Sequence, residues 1–416
     1  MIRKLFAAEP EGHLILSVIQ AIRKRCGKLK KIIRKMISIP LIYGLSRSIR
    51  VEDNKILFLT FRGEYDCNAK WIAEEIRKRN LPYTVVWGVY KGGSTESIPK
   101  SFIPVCRGSK EFYREIASAR IIVDNGISTS TLGYRKKKNQ TLIETWHGSL
   151  GIKKFSKDTN KDKKWCLYAT FEGKMTDYCL SNSTFEDAIF MDTFWGKSRI
   201  LRLGHARNDI LCEKNTDRIA QTRQKIYQSY QLQPDIKICL YAPTFRDDKD
   251  MRPYQVDYER LRQALKTRFG GEWVVFTRFH FRLRNKPEFR ELCEGTINVS
   301  DYSDIQELLT CTDVGITDYS SWICDYLLTR RPGFLFATDM EEYEKKDREF
   351  FYPLDSMPFP LALNNEQLYE NILSFDEEVF KTKCETFLAD KGCIDDGHAS
   401  ERIVDAIECI MRGETV

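Results

Sequence analysis

Lys55-Ile56-Leu57-Phe58-Leu59-Thr60-Phe61 is a short apolar run without polar alternation, and beyond it Asp66 opens a stretch in which Trp71, Ile72 and Ile76 recur at helical spacing. A strand buried on both faces, followed by a helix, is the unit from which parallel sheets are built. Further strand-like runs follow at 83–90, 102–106, 121–124 and 141–146, with a helix-like run at 110–119. A second series covers 236–241, 273–277, 297–300, 314–317 and 334–336, with helical periods at 258–269, 304–311 and 321–329 between them. Polar residues dominate 213–235, where 217–230 reads as a solvated helix joining the two series. The expected class is α/β, with two Rossmann-like doubly wound parallel-sheet domains facing a cleft and ligand-binding loops at the carboxyl ends of their strands. The boundaries fall at 51–215 and 216–398, and a helix within 399–416 is expected to run back across the interface.

The rest of the composition narrows the class. A chain of 416 residues that is 42% hydrophobic can build two or three real cores. Its thirteen cysteines stand singly from Cys26 to Cys409, none in a Cys-x-x-Cys spacing. Such scatter points to reduced thiols in a cytoplasmic protein, not to a disulfide framework or zinc site. No secretory signal is apparent, and no apolar run approaches the ~18 residues of a spanning helix.

Net charge is +7, but it is local: between Gly12 and Val51 there is no Asp or Glu, while ten Lys and Arg residues interleave with Leu14, Ile15, Ile19, Ile22, Ile32, Ile33 and Ile37. Residues 1–50 therefore read as a basic amphipathic helical segment suited to an anionic membrane surface. A helix packed on its own domain with a solvated basic face is the plainer alternative. Nucleic acid is not expected, since no aromatic-rich recognition motif accompanies the charges.

Only five histidines occur in the chain, and two stand in short motifs at strand ends, Trp146-His147-Gly148-Ser149 and Arg278-Phe279-His280. Thr317-Asp318-Tyr319-Ser320-Ser321 follows an apolar strand-like run and opens a helix-like one. Hydroxyls and free N–H groups at such a helix start suit phosphate. The expectation is a phosphate-bearing substrate held between two domains. His147 and His280 are not spaced as a helical metal pair, and no Asp-x-Asp accompanies the phosphate motifs. No metal or cofactor is expected beyond loose Mg²⁺ association with the donor.

Three ordered blocks, Thr145-Trp-His-Gly-Ser149, Tyr241-Ala-Pro-Thr-Phe-Arg-Asp247 and Ile316-Thr-Asp-Tyr-Ser-Ser321, resemble signatures of the CDP-glycerol glycerophosphotransferase family, enzymes of teichoic-acid-type poly(alditol phosphate) synthesis. Gly204-His-Ala-Arg-Asn-Asp-Ile-Leu211, Asp304-Ile-Gln-Glu-Leu-Leu309 and Asp396-Gly-His-Ala-Ser-Glu-Arg402 extend the resemblance to about residue 402. Departures are Ser149-Leu150-Gly151-Ile152-Lys153 where Thr-Pro-Leu-Lys is usual, Phe281 where proline is usual, and His205 where tyrosine is typical.

The resemblance implies a GT-B architecture with an N-terminal acceptor domain and the nucleotide donor held mainly by the C-terminal domain. It implies transfer of an alditol phosphate, glycerol phosphate first, from a CDP-alditol to a polyprenyl-diphosphate-linked or glycan hydroxyl, with release of CMP. The implied setting is the cytoplasmic face of the cell membrane. A histidine titrating near ~6.5 can take the acceptor's proton, which suits His147 as general base. His280 and Arg278 point to one side if their strand continues to 280, and would grip the donor phosphates.

Thr317, Asp318, Ser320 and Ser321 are expected around the same phosphates, although Asp318 or Ser320 would also serve as a plain helix cap. Arg246 and Asp247 line the donor or acceptor path, and His398 closes over the nucleotide. Trp146, Gly148, Ser149 and Asn208 line the cleft or meet the acceptor, helix capping being the competing reading for Asn208. A GT-B glycosyltransferase or epimerase using a nucleotide sugar, and a non-catalytic nucleotide-binding membrane scaffold, are the competing functions. The charged stretch 341–348 reads as a loop over the cleft.

Overall fold

The computed structural model describes residues 44, 46–155, 162–212, 216–246, 250–280, 283 and 288–416. The basic segment at 1–50 therefore lies almost wholly outside the described residues.

Ile56, Leu57, Phe58 and Leu59 are all fully buried. They belong to β1 (Glu52–Leu59), an interior strand of the first sheet. Ile56 and Phe58 face a core containing Ile72, Ile76 and Trp87, whereas Leu57 and Leu59 face Val86, Phe112, Ile116 and Ile122. Alternate side chains thus fill cores on opposite faces, which is why the run carries no polar alternation. The sheet continues through β2 (Thr84–Val89), β3 (Ile103–Cys106), β4 (Ala119–Asp124), β5 (Thr141–Glu144), β6 (Tyr178–Ser181) and β7 (Arg199–Arg202). Its order is β3-β2-β1-β4-β5-β6-β7, and every pairing is parallel.

The second sheet repeats the plan with β8 (Lys237–Tyr241), β9 (Trp273–Thr277), β10 (Ile297–Asn298), β11 (Val314–Thr317), β12 (Gly333–Phe336) and β13 (Leu361–Ala362). Its order is β10-β9-β8-β11-β12-β13, again all parallel. Each sheet reverses its winding direction once, between β1 and β4 and between β8 and β11, and such switch points open crevices at strand carboxyl ends. Two doubly wound sheets of this kind make the fold GT-B-like. The stretch expected as a loop at 341–348 is in fact mostly the helix Met340–Lys346, closed by Lys345–Glu341 and Lys346–Glu342 pairs one turn apart.

The chain returns to the first domain before its last helix. Ser183 and Cys393 form an antiparallel bridge, and the Ile394 N–H donates to the Asn182 carbonyl at 2.8 Å. The helix Ala399–Met411 then lies along Cys67–Lys78, where Arg79 pairs with Asp405 at 2.5 Å and Glu408 at 3.2 Å. Among the described residues no helix is long and apolar enough to cross a membrane.

Candidate active site

Strand ends from both sheets meet in one cleft. β1 runs on to Phe61 and Arg62, β4 to Asn125 and β5 to His147, while β9 runs on to Arg278 and His280 and β11 to Ser320 and Ser321. Two cavities, of about 200 Å³ and 350 Å³, share Phe61, Arg62, Arg278, Ile305, Ser320 and Trp322. His147 and Ser321 line the smaller; His280 and Lys153 line the larger. The strand expected to carry Arg278 and His280 stops at Thr277. Alternation nonetheless persists past its end, because Phe279 is buried in the core while its two neighbours line the cleft.

The turn that aims His147 is held from several sides. Trp146 has φ of 51°, a left-handed conformation that costs a bulky residue roughly 1–3 kcal/mol unless its surroundings enforce it. They do: the Trp146 N–H donates to Glu144 Oε1 at 2.8 Å, and its ring packs on Phe155 at 5.0 Å and Trp195 at 5.1 Å. His147 Nδ1 then lies 2.6 Å from the Asn125 carbonyl oxygen. A carbonyl only accepts, so Nδ1 carries the proton and Nε2 keeps its lone pair. Phe61 stacks on the ring at 5.3 Å and 16°. The imidazole is open to the cleft yet walled by protein. Burial, with Arg207 acting the same way and the Asn125 bond opposing, lowers its pKa to about 4.

Behind this turn, Asn68 Nδ2 donates to the carbonyls of Thr145 at 3.0 Å and Trp146 at 3.2 Å, and Asn68 Oδ1 accepts the Arg207 N–H at 3.1 Å. The Arg207 guanidinium continues across the seam to Asp325, which also accepts from Asn208 at 3.1 Å and Gln306 at 2.9 Å. Lys70 reaches Asp304 at 2.6 Å and Glu307 at 2.7 Å beside it. Asp66, in the smaller cavity, is pushed up to about 7 by burial and by the nearby Asp304 carboxylate.

On the facing wall, Arg278 spends Nη1 on the carbonyls of Val299 at 3.2 Å and Tyr302 at 2.5 Å. Nε and Nη2 have no partner among the described residues. Burial and the neighbouring Arg62 lower its pKa to about 10. The His280 ring packs at a tilt against Phe245, 4.9 Å between centroids. Ser321 stands just before the helix Trp322–Tyr326 and makes no capping bond with its side chain. A Cβ at Gly148 would lie 3.8 Å from Ser321 Oγ, so this glycine marks where the two walls approach.

Of the residues expected from sequence, His147, Gly148, Arg278, His280, Ser320 and Ser321 are brought together here, with Trp146 behind His147. Others are placed differently. Ser149 is buried, and its Oγ accepts from Asn182 at 2.7 Å. Thr317 Oγ1 donates to the Ala242 carbonyl at 2.8 Å, and Asp318 accepts from the Thr244 N–H at 2.8 Å and Arg246 Nη1 at 2.7 Å. Arg246 is further committed to both Asp339 oxygens at 2.7 Å, with its cation 4.9 Å from the Tyr319 and Tyr343 rings.

These side chains brace the strand ends from within, their polar atoms bonded to partners inside the fold. Asn208 is likewise buried at the seam, bonded to Asp325 and Asp395. His398 does not close over the cleft. It is 64% exposed at the start of the last helix, bonded to Glu401 at 3.1 Å, and lines a separate groove with Trp71 and Arg218. Asp247 lies outside the described residues. Arg207, Asp66 and Lys153 were not singled out from sequence. Lys153 ends a stretch whose usual family counterpart, Thr-Pro-Leu-Lys, also ends in lysine, and that shared lysine was the available signal.

The family model for CDP-glycerol:poly(glycerophosphate) glycerophosphotransferases matches residues 41–409. A teichoic acid poly(glycerol phosphate) polymerase of Staphylococcus epidermidis is 30% identical over 386 residues, covering 88% of this chain and 52% of that protein. The chain thus spans about half the length of that relative, and covers 50% of a polymerase of the same description from Bacillus subtilis. A teichoic acid glycerol-phosphate transferase of Staphylococcus aureus is 28% identical over 372 residues, covering 85% of this chain and 92% of that one. Among solved structures, a variant of the wall teichoic acid polymerase TagF soaked with CDPG superposes with a TM-score of 0.78 at 27% identity, covering 94% of this chain and 98% of that one. With the model spanning most of the residues and both sheets in place, the chain belongs to the CDP-glycerol:poly(glycerophosphate) glycerophosphotransferase family.

Proposed function

We propose that this protein transfers an alditol phosphate, glycerol phosphate first among candidates, from a CDP-alditol to a hydroxyl of a lipid-linked or glycan acceptor in cell-wall polymer synthesis. The observation that carries the proposal is His147. Its Nδ1–H is fixed on the Asn125 carbonyl, so its unprotonated Nε2 is left for an incoming hydroxyl, across the cleft from Arg278 and Ser321. The acceptor oxygen attacks the phosphorus carrying the alditol, its proton passes to His147 Nε2, and the phosphorus–oxygen bond to CMP breaks. CMP leaves as an anion, so positive charge and hydrogen-bond donors at the phosphates matter more than acid assistance. Arg278, His280, Ser320 and Ser321 supply them in this reading.

An anionic membrane surface is part of the same proposal. Besides the basic run at 12–51, the helix Lys163–Met175 exposes Leu167 and Phe171 beside Lys163, Lys164 and Lys174, a pairing of apolar and basic groups that suits an interfacial helix.

The test is CMP release from CDP-glycerol and CDP-ribitol, with and without a lipid-linked glycerol-phosphate acceptor. Acceptor-dependent CMP should appear with one donor and fall by about 10²–10⁴ in His147→Ala with donor binding retained. Release of a nucleoside diphosphate from a nucleotide sugar instead would replace this reading by glycosyl transfer.

A further inference from the structure

The segment that starts at His147 ends at Lys153, and its far end is shared between the domains. Lys153 forms an antiparallel bridge with Phe350, the Lys154 N–H donates to the Glu349 carbonyl at 2.9 Å, and the Phe351 N–H donates to the Ile152 carbonyl at 2.8 Å. The Leu150 carbonyl accepts the Tyr352 hydroxyl at 2.5 Å. A lysine belonging by sequence to the first domain is thus carried on a ribbon stitched to the second. Its side chain lines the larger cavity together with Thr244, Arg278, His280 and Ser320.

There its ammonium has almost nothing to neutralise it. Nζ makes one long contact, 3.5 Å to Thr244 Oγ1, and pairs with no carboxylate among the described residues. The nearby acids are engaged elsewhere: Asp318 and Asp339 by Arg246, and Glu349 by Lys154. Burial pulls the Lys153 pKa down to about 8; Asp318 and Asp347 oppose this, while Arg348 and Arg246 add to it. A cation held against this partly apolar lining without a counter-ion is unfavourable by itself. It becomes favourable when an anion with several acceptor oxygens enters.

We propose that Lys153 is a donor-phosphate ligand contributed by the N-terminal domain, its ammonium set against pyrophosphate oxygens that Arg278, His280 and Ser320 approach from the other wall. This rests on the transferase reading above and adds to it a residue that only the joined domains can place. Calorimetric titration of wild type, Lys153→Met and Lys153→Arg with CDP, CDP-glycerol and cytidine tests it directly. Loss of one charge-assisted contact should weaken CDP and CDP-glycerol by about tenfold to a hundredfold in Lys153→Met, leave cytidine unchanged, and be largely restored in Lys153→Arg.

In CMP release, kcat/KM of the wild type should fall above about pH 8 as free Lys153 loses its proton. Lys153→Arg should carry that fall to higher pH while leaving the acid limb in place, a shift that a merely structural lysine would not produce. Binding of CDP by Lys153→Met within twofold of wild type, or an unmoved alkaline limb in Lys153→Arg, overturns the proposal. A wild type that binds CDP through Lys153 but releases no CMP from any CDP-alditol would overturn the transferase reading and leave the binding assignment standing.

Discussion

Arg207 and Asp325 meet across the seam between the two sheets, Nε on Oδ2 and Nη2 on Oδ1, each at 3.1 Å. Asp325 lies on the short helix that follows Ser321, and the Arg207 N–H is held by Asn68, which also holds the turn before His147. One ion pair therefore joins the supports of the two cleft walls. Both side chains are almost fully buried, so removing either strands a charge. Arg207→Ala should lose about 3–5 kcal/mol of stability in urea unfolding. The Arg207→Met, Asp325→Leu double variant should lose clearly less than the sum of the single changes. Simple additivity would show that the pair is not coupled as drawn.

His147 should govern the acid side of the rate profile. In the proposed role of general base His147 must be neutral, and burial holds its pKa near 4, below the ordinary value of ~6.5. kcat/KM for CMP release should therefore stay level as pH falls through 6 and drop only on approaching about 4. The stability term has a matching sign. The unfolded histidine takes its proton near ~6.5, so the neutral ring's contribution is complete above that pH and is lost as pH falls from there towards about 4. An acid limb centred near ~6.5 would contradict the desolvated, protein-walled setting of the ring.

Beneath the His147 turn, Asp124, Glu144 and Glu172 are all fully buried. Glu172 Oε2 accepts the Ser130 N–H at 2.5 Å while Oε1 has no partner among the described residues. Burial first, then the Asp124 charge, pushes Glu172 up to about 8. The folded state thus keeps a proton that the unfolded glutamate releases near ~4.3. This contribution is complete at low pH and lost as pH rises towards about 8. Urea midpoints measured from pH 5 to 8 should decline in wild type and decline less in Glu172→Gln, whose neutral amide does not titrate. Equal slopes would refute the assignment.

Gly173 sits inside the helix Lys163–Met175, where alanine would ordinarily gain about 1 kcal/mol. A Cβ there would lie 1.9 Å from the Phe194 carbonyl oxygen, a backbone atom that cannot swing aside. Gly173→Ala should instead destabilise by at least about 1–3 kcal/mol. Gly151→Ala, with nothing within 4 Å of the added atom, should be near neutral. Thermal unfolding of the two variants distinguishes the clash from a general intolerance of alanine.

The buried central strands were legible because β1, β4, β8 and β11 are continuous apolar runs. β6, β7 and β13 were not. They are two to four residues long, and β7 begins and ends on the exposed arginines Arg199 and Arg202. The two histidine motifs announced themselves by their chemistry at strand ends. What sequence could not show is direction. Arg246 and Asp318 carry the right groups in the right block, but tertiary partners turn them inward, whereas Lys153 reaches the cleft through a backbone pairing with residues almost two hundred positions away.

The return of the chain at Ser183 and Cys393 also has a consequence during synthesis. The helix Cys67–Lys78 buries Ala69, Ile72, Ala73 and Ile76, and its partner Ala399–Met411 follows every strand of the second sheet in the sequence, so it leaves the ribosome after all of them. At ~5–20 residues per second, the ~200 residues separating β7 from that helix take roughly 10–40 s to emerge. For that interval the nascent first domain lacks part of its outer layer while the whole second domain is being made. The first domain is thus completed only after the second has been made, and a chain stalled in between would present an uncovered apolar face to chaperones and proteases.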